Sequence, residues 1–441
     1  FKEWKQEEIK AQLVRSSQAF NSWRETSFDE RSQFLKKVAQ VLRGNKKHYS
    51  SLITTEMGKP ILQAEAEVEK CAWVCEFYAE NGKKFLENEY VETDADVSYI
   101  RFSPLGVILA IMPWNFPFWQ VFRCAAPALM AGNTVLLKHS SNVPQCAVTI
   151  EEVFNEAGFP EDVFCSVLVG SKSVNTLVED GRVAAVSLTG SSFAGSSTAS
   201  VAGRHLKKVV LELGGSDPFI VLKDVDLDQA VDAAVKARMI NNGQSCIAAK
   251  RFIVVEDVFE GFKKSFLKKI NELVVGDPMD RLTDVGPLAR KDILDQLDKQ
   301  VKESVKKGAQ VLTGGKRLDD NPGFYYLPTL LCGVKKGMPC YDEETFGPVA
   351  SLIKVKNEKE ALTVANDTMY GLGASIWTKD FKKGESLTRY LEAGNVFVNE
   401  IVKSDPRLPF GGMKQSGFGR ELSHYGIKEF VNIQTVYIKK P

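Results

Sequence analysis

Residues 184–213, AAVSLTGSSFAGSSTASVAGRHLKKVVLEL, decide the fold. The stretch opens on an apolar run suited to a buried strand and breaks at Gly190. It continues through small residues compatible with a helix, then closes on a second apolar run. Strand, tight turn, helix and strand make a βαβ unit, whose two strands must be parallel. The same rhythm runs upstream through VILAIM (107–112), a helix from about Pro117, TVLLK (134–138), the helix QCAVTIEEVFNEAG (145–158) and CSVLVG (165–170). Past Gly214 and Gly215 a second series begins with FIVL (219–222), a helix from about Asp226 to Met239, FIVV (252–255) and a helix near Phe259 to Leu273. It continues to VFVN (396–399). The expected fold class is therefore α/β, with two lobes meeting near residues 190–250, where a ligand cleft would form.

The flanks read differently. Helical spacing covers Glu7–Trp23, Phe28–Lys46 and a long segment from Ser50 to Leu86, with Asp29 and Ser50 as caps; residues 87–102 turn extended. The chain closes on the glycine-rich loop PFGGMKQSGFGR (409–420), a helix and the β-rich FVNIQTVYIKK (430–440). That last strand is either a sheet edge or donated to a partner subunit, and donation is the favoured reading.

Composition excludes several classes. Over 441 residues, 57 Lys+Arg against 56 Asp+Glu give a formal charge of +1, which is not the footprint of a nucleic-acid or polybasic membrane-surface protein. Apolar runs such as Val107–Met112 are far shorter than the ~18–20 residues that span a bilayer. The opening FKEWKQEEIK lacks the apolar core of a signal peptide. Eight scattered cysteines suit a reducing cytoplasm, and the four histidines do not cluster with the Cys71/Cys75 pair, so no metal site is expected.

Three segments carry chemistry. In NNGQSC (241–246), Cys246 sits among small and polar residues, so it is a candidate nucleophile; a helix starting there would lower its pKa. In LELGGSDP (211–218), Glu212 ends an apolar strand, and such a carboxylate must be neutral, salt-bridged, or poised as a base. In MPWNFPFWQVFRC (112–124), Asn115 precedes a helix start and is either an oxyanion donor or a turn residue. Trp119 and Arg123, four and eight residues on, would share its helix face. Arg123 lies among apolar neighbours and needs a carboxylate, from the protein or from a substrate.

These stretches, with TTEMGKP, AGNTVLLK, EETFGPV, GNVFVN and PFGGMKQSGFGRE, run essentially end to end, and the chain resembles the NAD(P)-dependent aldehyde dehydrogenases. WNFPFWQVFR, LLKHSSN and SGFGRELSHYGIKEF are most similar to the shorter succinate-semialdehyde dehydrogenases. The resemblance implies an aldehyde dehydrogenase fold with three parts. A Rossmann-like cofactor domain would comprise 1–85 and 105–214, an α/β catalytic domain 215–425, and a small β oligomerisation element 86–104 and 426–441 of a homodimer or homotetramer. It implies that Cys246 attacks the aldehyde to form a thiohemiacetal whose oxyanion is held by Asn115 and the Cys246 N–H. After hydride transfer, Glu212 would activate water to hydrolyse the thioester.

Cofactor roles come from the same resemblance. As a bare pattern, TGSSFAG (189–195) is a weak dinucleotide signal and equally an ordinary strand-to-helix turn. In family context Gly190 and Ser191 would receive the pyrophosphate, Lys138 the adenosine ribose and Glu344 the nicotinamide ribose, with Trp114 lining the site. Ser141 stands where NAD-preferring relatives often carry a glutamate, so NADP is the expected cofactor, with NAD as a slower alternative. The resemblance implies a substrate carboxylate held by Arg123, Trp119 and Ser404, with Lys403 and Arg407 as alternatives to Ser404. Three readings stay open: a different or neutral aldehyde, a CoA-acylating enzyme, and a non-catalytic protein on the same scaffold.

Overall fold

The computed structural model describes residues 1–318 and 322–441, and in it the apolar runs become strands of two largely parallel sheets. The first has six strands, in the order Gly417–Phe418, Lys208–Glu212, Val183–Thr189, Val107–Met112, Thr134–His139 and Phe164–Ser166. All neighbours are parallel except Gly417–Phe418, which runs antiparallel to Lys208–Glu212. From Val107–Met112 the chain winds outward to one side through Thr134–His139 and Phe164–Ser166. It then returns to the other side through Val183–Thr189 and Lys208–Glu212. In such a doubly wound sheet the crevice opens at the carboxyl ends of the two strands where the winding reverses. Here those ends lead directly into Trp114-Asn115 and into Gly190-Ser191.

The second sheet has seven strands, in the order Gln310–Thr313, Thr329–Cys332, Val349–Val355, Arg251–Val255, Pro218–Val221, Gly373–Trp377 and Asn395–Val398. Only its first pair is antiparallel. The central strands Arg251–Val255 and Pro218–Val221 are buried along their whole length, as expected of strands covered on both faces by helices. A third, antiparallel sheet joins Glu89–Tyr90, Val97–Pro104 and Val431–Ile438. The final strand pairs with Val97–Pro104 of its own chain from Val431 opposite Pro104 to Ile438 opposite Val97, and its other side is the edge of this sheet within the chain.

The N-terminal helices differ in detail from the sequence reading. The helix expected from Ser50 to Leu86 is two helices, Lys46–Met57 and Ile61–Phe85. The break falls at Gly58, whose φ of +78° disfavours a side chain and where a Cβ would lie 2.6 Å from the Pro287 carbonyl oxygen. Ser50 is not a cap: it lies inside the first of these helices and donates to the Lys46 carbonyl at 2.6 Å. The second helix of the chain is capped by Ser27, reciprocally bonded with Glu30, instead of by Asp29. Among the described residues no helix is long and apolar enough to cross a membrane.

Candidate active site

The helix Leu227–Met239 ends in a turn, 240–243, that carries the chain to Cys246. Asn241, Asn242 and Gly243 all have left-handed φ, at 54°, 57° and 72°. A Cβ at position 243 would lie 2.2 Å from the Gly347 carbonyl oxygen, so only glycine fits. Side chains on both flanks fix this unusual path. Asn241 Nδ2 donates to the carbonyls of Asn115 (2.7 Å) and Gln244 (2.9 Å), and Asn242 Nδ2 to those of Gly58 (2.8 Å) and Pro287 (2.9 Å). Lys250 Nζ donates to the carbonyls of Ser245 (2.9 Å) and Cys246 (2.7 Å).

The structure departs from the sequence expectation at Cys246 and at Asn115. No helix begins at Cys246, because the next one starts at Glu256 after the strand Arg251–Val255, so no helix N-terminus acts on the thiol. Burial pushes the thiol well above its ordinary value and Glu212 adds to the push, while Arg123 and Lys250 pull it back. Asn115 is not on the face of the helix it precedes, because that helix spans Trp119–Met130. Its amide is instead tied to the cysteine loop, Nδ2 donating to the Gln244 carbonyl at 3.1 Å.

Arg123 finds its carboxylates inside the protein. Its Nη2 lies 3.1 Å from Glu212 Oε2 and 3.3 Å from Thr189 Oγ1, and its Nε lies 2.7 Å from Glu421 Oε2. All three charged side chains are buried. Burial opposes the guanidinium charge, but Glu421 and Glu212 more than offset it and hold the group cationic. Glu421 is pushed up to about 7, by burial first and by Glu212, against the pull of Arg123. Sequence reasoning missed Glu421, although the requirement for a carboxylate against Arg123 was the signal for it. Glu212 Oε2 is held by Arg123, while its buried Oε1 has no hydrogen-bond partner among the described residues.

Two cavities meet at the cysteine. One, of about 460 Å³, is lined by Trp114, Asn115, Gly190, Ser191, Glu212 and Glu344. The other, of about 640 Å³, is lined by Trp119, Arg123, Ser404 and Lys70. Cys246 and Gln120 belong to both walls. Sequence reasoning did not single out Lys70 or Gln120. The profile of the aldehyde dehydrogenase family matches residues 1–436.

The chain belongs to that family. It is 55 % identical over 433 residues to a protein of Synechocystis sp. named "Probable succinate-semialdehyde dehydrogenase, NADP(+)", covering 98 % of this chain and 95 % of that one. It is 48 % identical over 435 residues to "Succinate-semialdehyde dehydrogenase, NADP(+), 1" of Mycobacterium bovis, with the same coverage of 98 % and 95 %. The crystal structure of succinic semialdehyde dehydrogenase from Streptococcus pyogenes, in complex with NADP+, superposes with a TM-score of 0.97 at 38 % identity. That match covers 100 % of this chain and 97 % of the other.

In this aldehyde dehydrogenase the rim of the first cavity carries backbone donors suited to a dinucleotide's phosphates. The helix Ser192–Arg204 starts at its rim, with Ser191 as N-cap, so backbone N–H groups of its first turn point towards the opening. Gly195 lets this helix close on its sheet, since a Cβ there would meet Leu213 Cδ2 at 2.5 Å. Glu344 accepts from the Gly215 N–H at 3.0 Å and lies 3.7 Å from Lys250 Nζ; burial raises its pKa. Ser141 is exposed in the turn after Thr134–His139 and lines a separate cavity of about 230 Å³ with His139, Ser140 and Pro144. Lys138 lies in the strand itself, where burial lowers the pKa of its amine.

Proposed function

We propose that this enzyme oxidises succinic semialdehyde to succinate with NADP, through a thioester on Cys246 that water hydrolyses. The observation that carries the reading is the position of Cys246, in the wall shared by a cavity with a helix N-terminus and a carboxylate and a cavity with cationic side chains. The Cys246 thiolate attacks the aldehyde carbon, and the oxygen that becomes negative accepts from the Asn115 amide and the Cys246 N–H. Gly190, Ser191 and Glu344 would hold the cofactor in the first cavity, where its nicotinamide would supply the hydride acceptor for the carbon as the thioester forms. Glu212, with Oε2 held by Arg123 and Oε1 without a partner, takes a proton from the water that attacks the thioester. The thiolate leaves and the acid is released.

Cofactor preference rests on Ser141, which offers a hydroxyl where a carboxylate would repel a 2′-phosphate. The names of the Synechocystis and M. bovis relatives and the NADP+ in the S. pyogenes structure support the same choice. The small antiparallel sheet, whose edge strand is Val431–Ile438, is the proposed contact of a homodimer or homotetramer. A reducing cytoplasm suits a thiol nucleophile. The test is a substrate panel run with NAD and NADP, with and without CoA. Succinic semialdehyde with NADP is expected to give the highest kcat/KM independently of CoA. Turnover that requires CoA would instead make the enzyme acylating.

A further inference from the structure

The cavity with Trp119, Arg123 and Ser404 contains one partly buried cation whose charge the protein leaves unused. Lys70 lies in the helix Ile61–Phe85 and lines this cavity with Cys246. Its Nζ donates to Ser404 Oγ at 2.8 Å and sits 4.3 Å from the centroid of the Trp119 ring. Among the described residues no carboxylate lies within 4.0 Å of it, and the acidic groups nearby are already taken. Glu67, one turn earlier on the same helix, pairs with Lys59 and accepts the N–H groups of Phe118 (2.9 Å) and Trp119 (3.0 Å). Asp405 is held by Arg407 at 2.7 and 2.9 Å.

The other cations of this cavity differ from Lys70. Arg123 is held between Glu212 and Glu421. Lys269 is paired with Asp232 at 2.9 Å and Lys403 with Glu400 at 2.8 Å. Lys236 is exposed, so solvent and salt screen its charge. An ammonium group held against an aromatic face and a hydroxyl, without a counter-ion, is a site prepared for an anion.

We propose that Lys70 is the residue that recognises the substrate's carboxylate, with Ser404 and Trp119 fixing its position and Arg123 serving chiefly to hold Glu212. The inference rests on the reading of the substrate as an ω-carboxy aldehyde. It makes Lys70 a specificity-determining residue: its bond to the carboxylate forms in the ground state and persists in the transition state, so its loss appears mainly in KM.

The test compares succinic semialdehyde with butanal, an uncharged aldehyde of the same chain length, in the wild type, Lys70→Met and Lys70→Arg. Loss of a charge-assisted hydrogen bond predicts that the methionine variant loses about 10- to 100-fold more kcat/KM on succinic semialdehyde than on butanal. Most of that loss should lie in KM, and the arginine variant should retain most of the selectivity. NADP binding, followed by fluorescence, reports whether the variants fold. Should the methionine variant fail to fold, Lys70→Gln keeps a donor for Ser404 without the charge and carries the same comparison. A selective wild type whose selectivity survives Lys70→Met, or an equal loss on both aldehydes, overturns the role of Lys70 alone. A wild type that does not prefer succinic semialdehyde overturns the substrate reading as well.

Discussion

Replacing Arg123 by methionine removes the cation that lies between Glu212 and Glu421 and leaves two buried carboxylates facing the space it occupied. At an effective dielectric constant of about 20, a charge contact of 2.7 Å is worth about 6 kcal/mol and one of 3.1 Å about 5 kcal/mol. Burial of the guanidinium cancels much of that attraction, so the expected net loss of stability is about 3–5 kcal/mol, the usual result of stranding a buried charge. The loss depends on pH. Glu421 already sits at about 7 in the folded protein, above its unfolded value, and without Arg123 its pKa rises further. A carboxyl raised on folding stabilises fully only below its unfolded pKa and loses that contribution as pH rises towards the folded value. Each pH unit in that window therefore removes about 1.4 kcal/mol. Thermal midpoints followed by fluorimetry at pH 6 and pH 8.5 should show a larger deficit at pH 8.5. Arg123→Met/Glu421→Gln, which strands only one carboxylate, should recover part of it. A single variant as stable as the wild type at pH 8.5, or a deficit independent of pH, would refute the assignment of Arg123 to these two carboxylates.

Cys246→Ala should abolish acid formation while NADP still binds with near wild-type affinity in a fluorescence titration; retained turnover would place the nucleophile elsewhere. Glu212→Gln should slow thioester hydrolysis far more than its formation, so rapid-mixing kinetics should show a burst of NADPH of about one equivalent and then a steady state slower by about 10²-fold. Ser141→Glu should raise KM for NADP at least several-fold with little change for NAD, since a carboxylate about 4 Å from a 2′-phosphate costs ~1–4 kcal/mol per charge pair. His139→Gln tests an acid sensitivity built into the fold. Burial lowers this imidazole to about 4, so between about pH 6.5 and 4 the unfolded chain takes up a proton that the folded one refuses. The wild type should lose about 3 kcal/mol from this group over that range, and thermal midpoints of the variant should fall less steeply with acid.

Local patterning accounts for the part of the fold that was legible in the sequence. Runs such as Val107–Met112 are strands because they are apolar on both faces, and that pattern does not depend on distant residues. The candidate site residues close to strand ends were legible for a related reason: in a doubly wound sheet, chain segments leaving neighbouring strands at the reversal of winding must meet. Trp114, Asn115, Gly190 and Ser191 do meet there. Conformation within the cysteine loop was not legible. Three successive left-handed residues depend on the asparagine amides, Lys250 and the close approach of Gly347, all supplied by tertiary contacts. The apolar helix before Cys246 therefore holds no information about the turn that ends it.

The same distinction separates two basic residues of the site. Arg123 stood out because every residue of its helix is buried and a charge there demands a partner; finding that partner required the fold, since Glu421 arrives from the far end of the chain. Lys70 raised no such demand. Its helix buries Val68, Cys71, Ala72 and Cys75, and a lysine beside that stripe reads as a solvated face. Folding instead covers it with Trp119 and Ser404, which supply an aromatic face and a hydroxyl but no negative charge. Burial then lowers the ammonium to about 8, with Arg123 adding to the effect, so the group stays largely protonated near neutrality without a counter-ion. An anionic substrate approaching Cys246 is opposed by the carboxylate of Glu212, which already disfavours the thiolate. A cation in the same cavity that is not neutralised by the protein offsets that opposition. Arg123, held by Glu212 and Glu421, has largely spent its charge within the protein, and Lys70 has not.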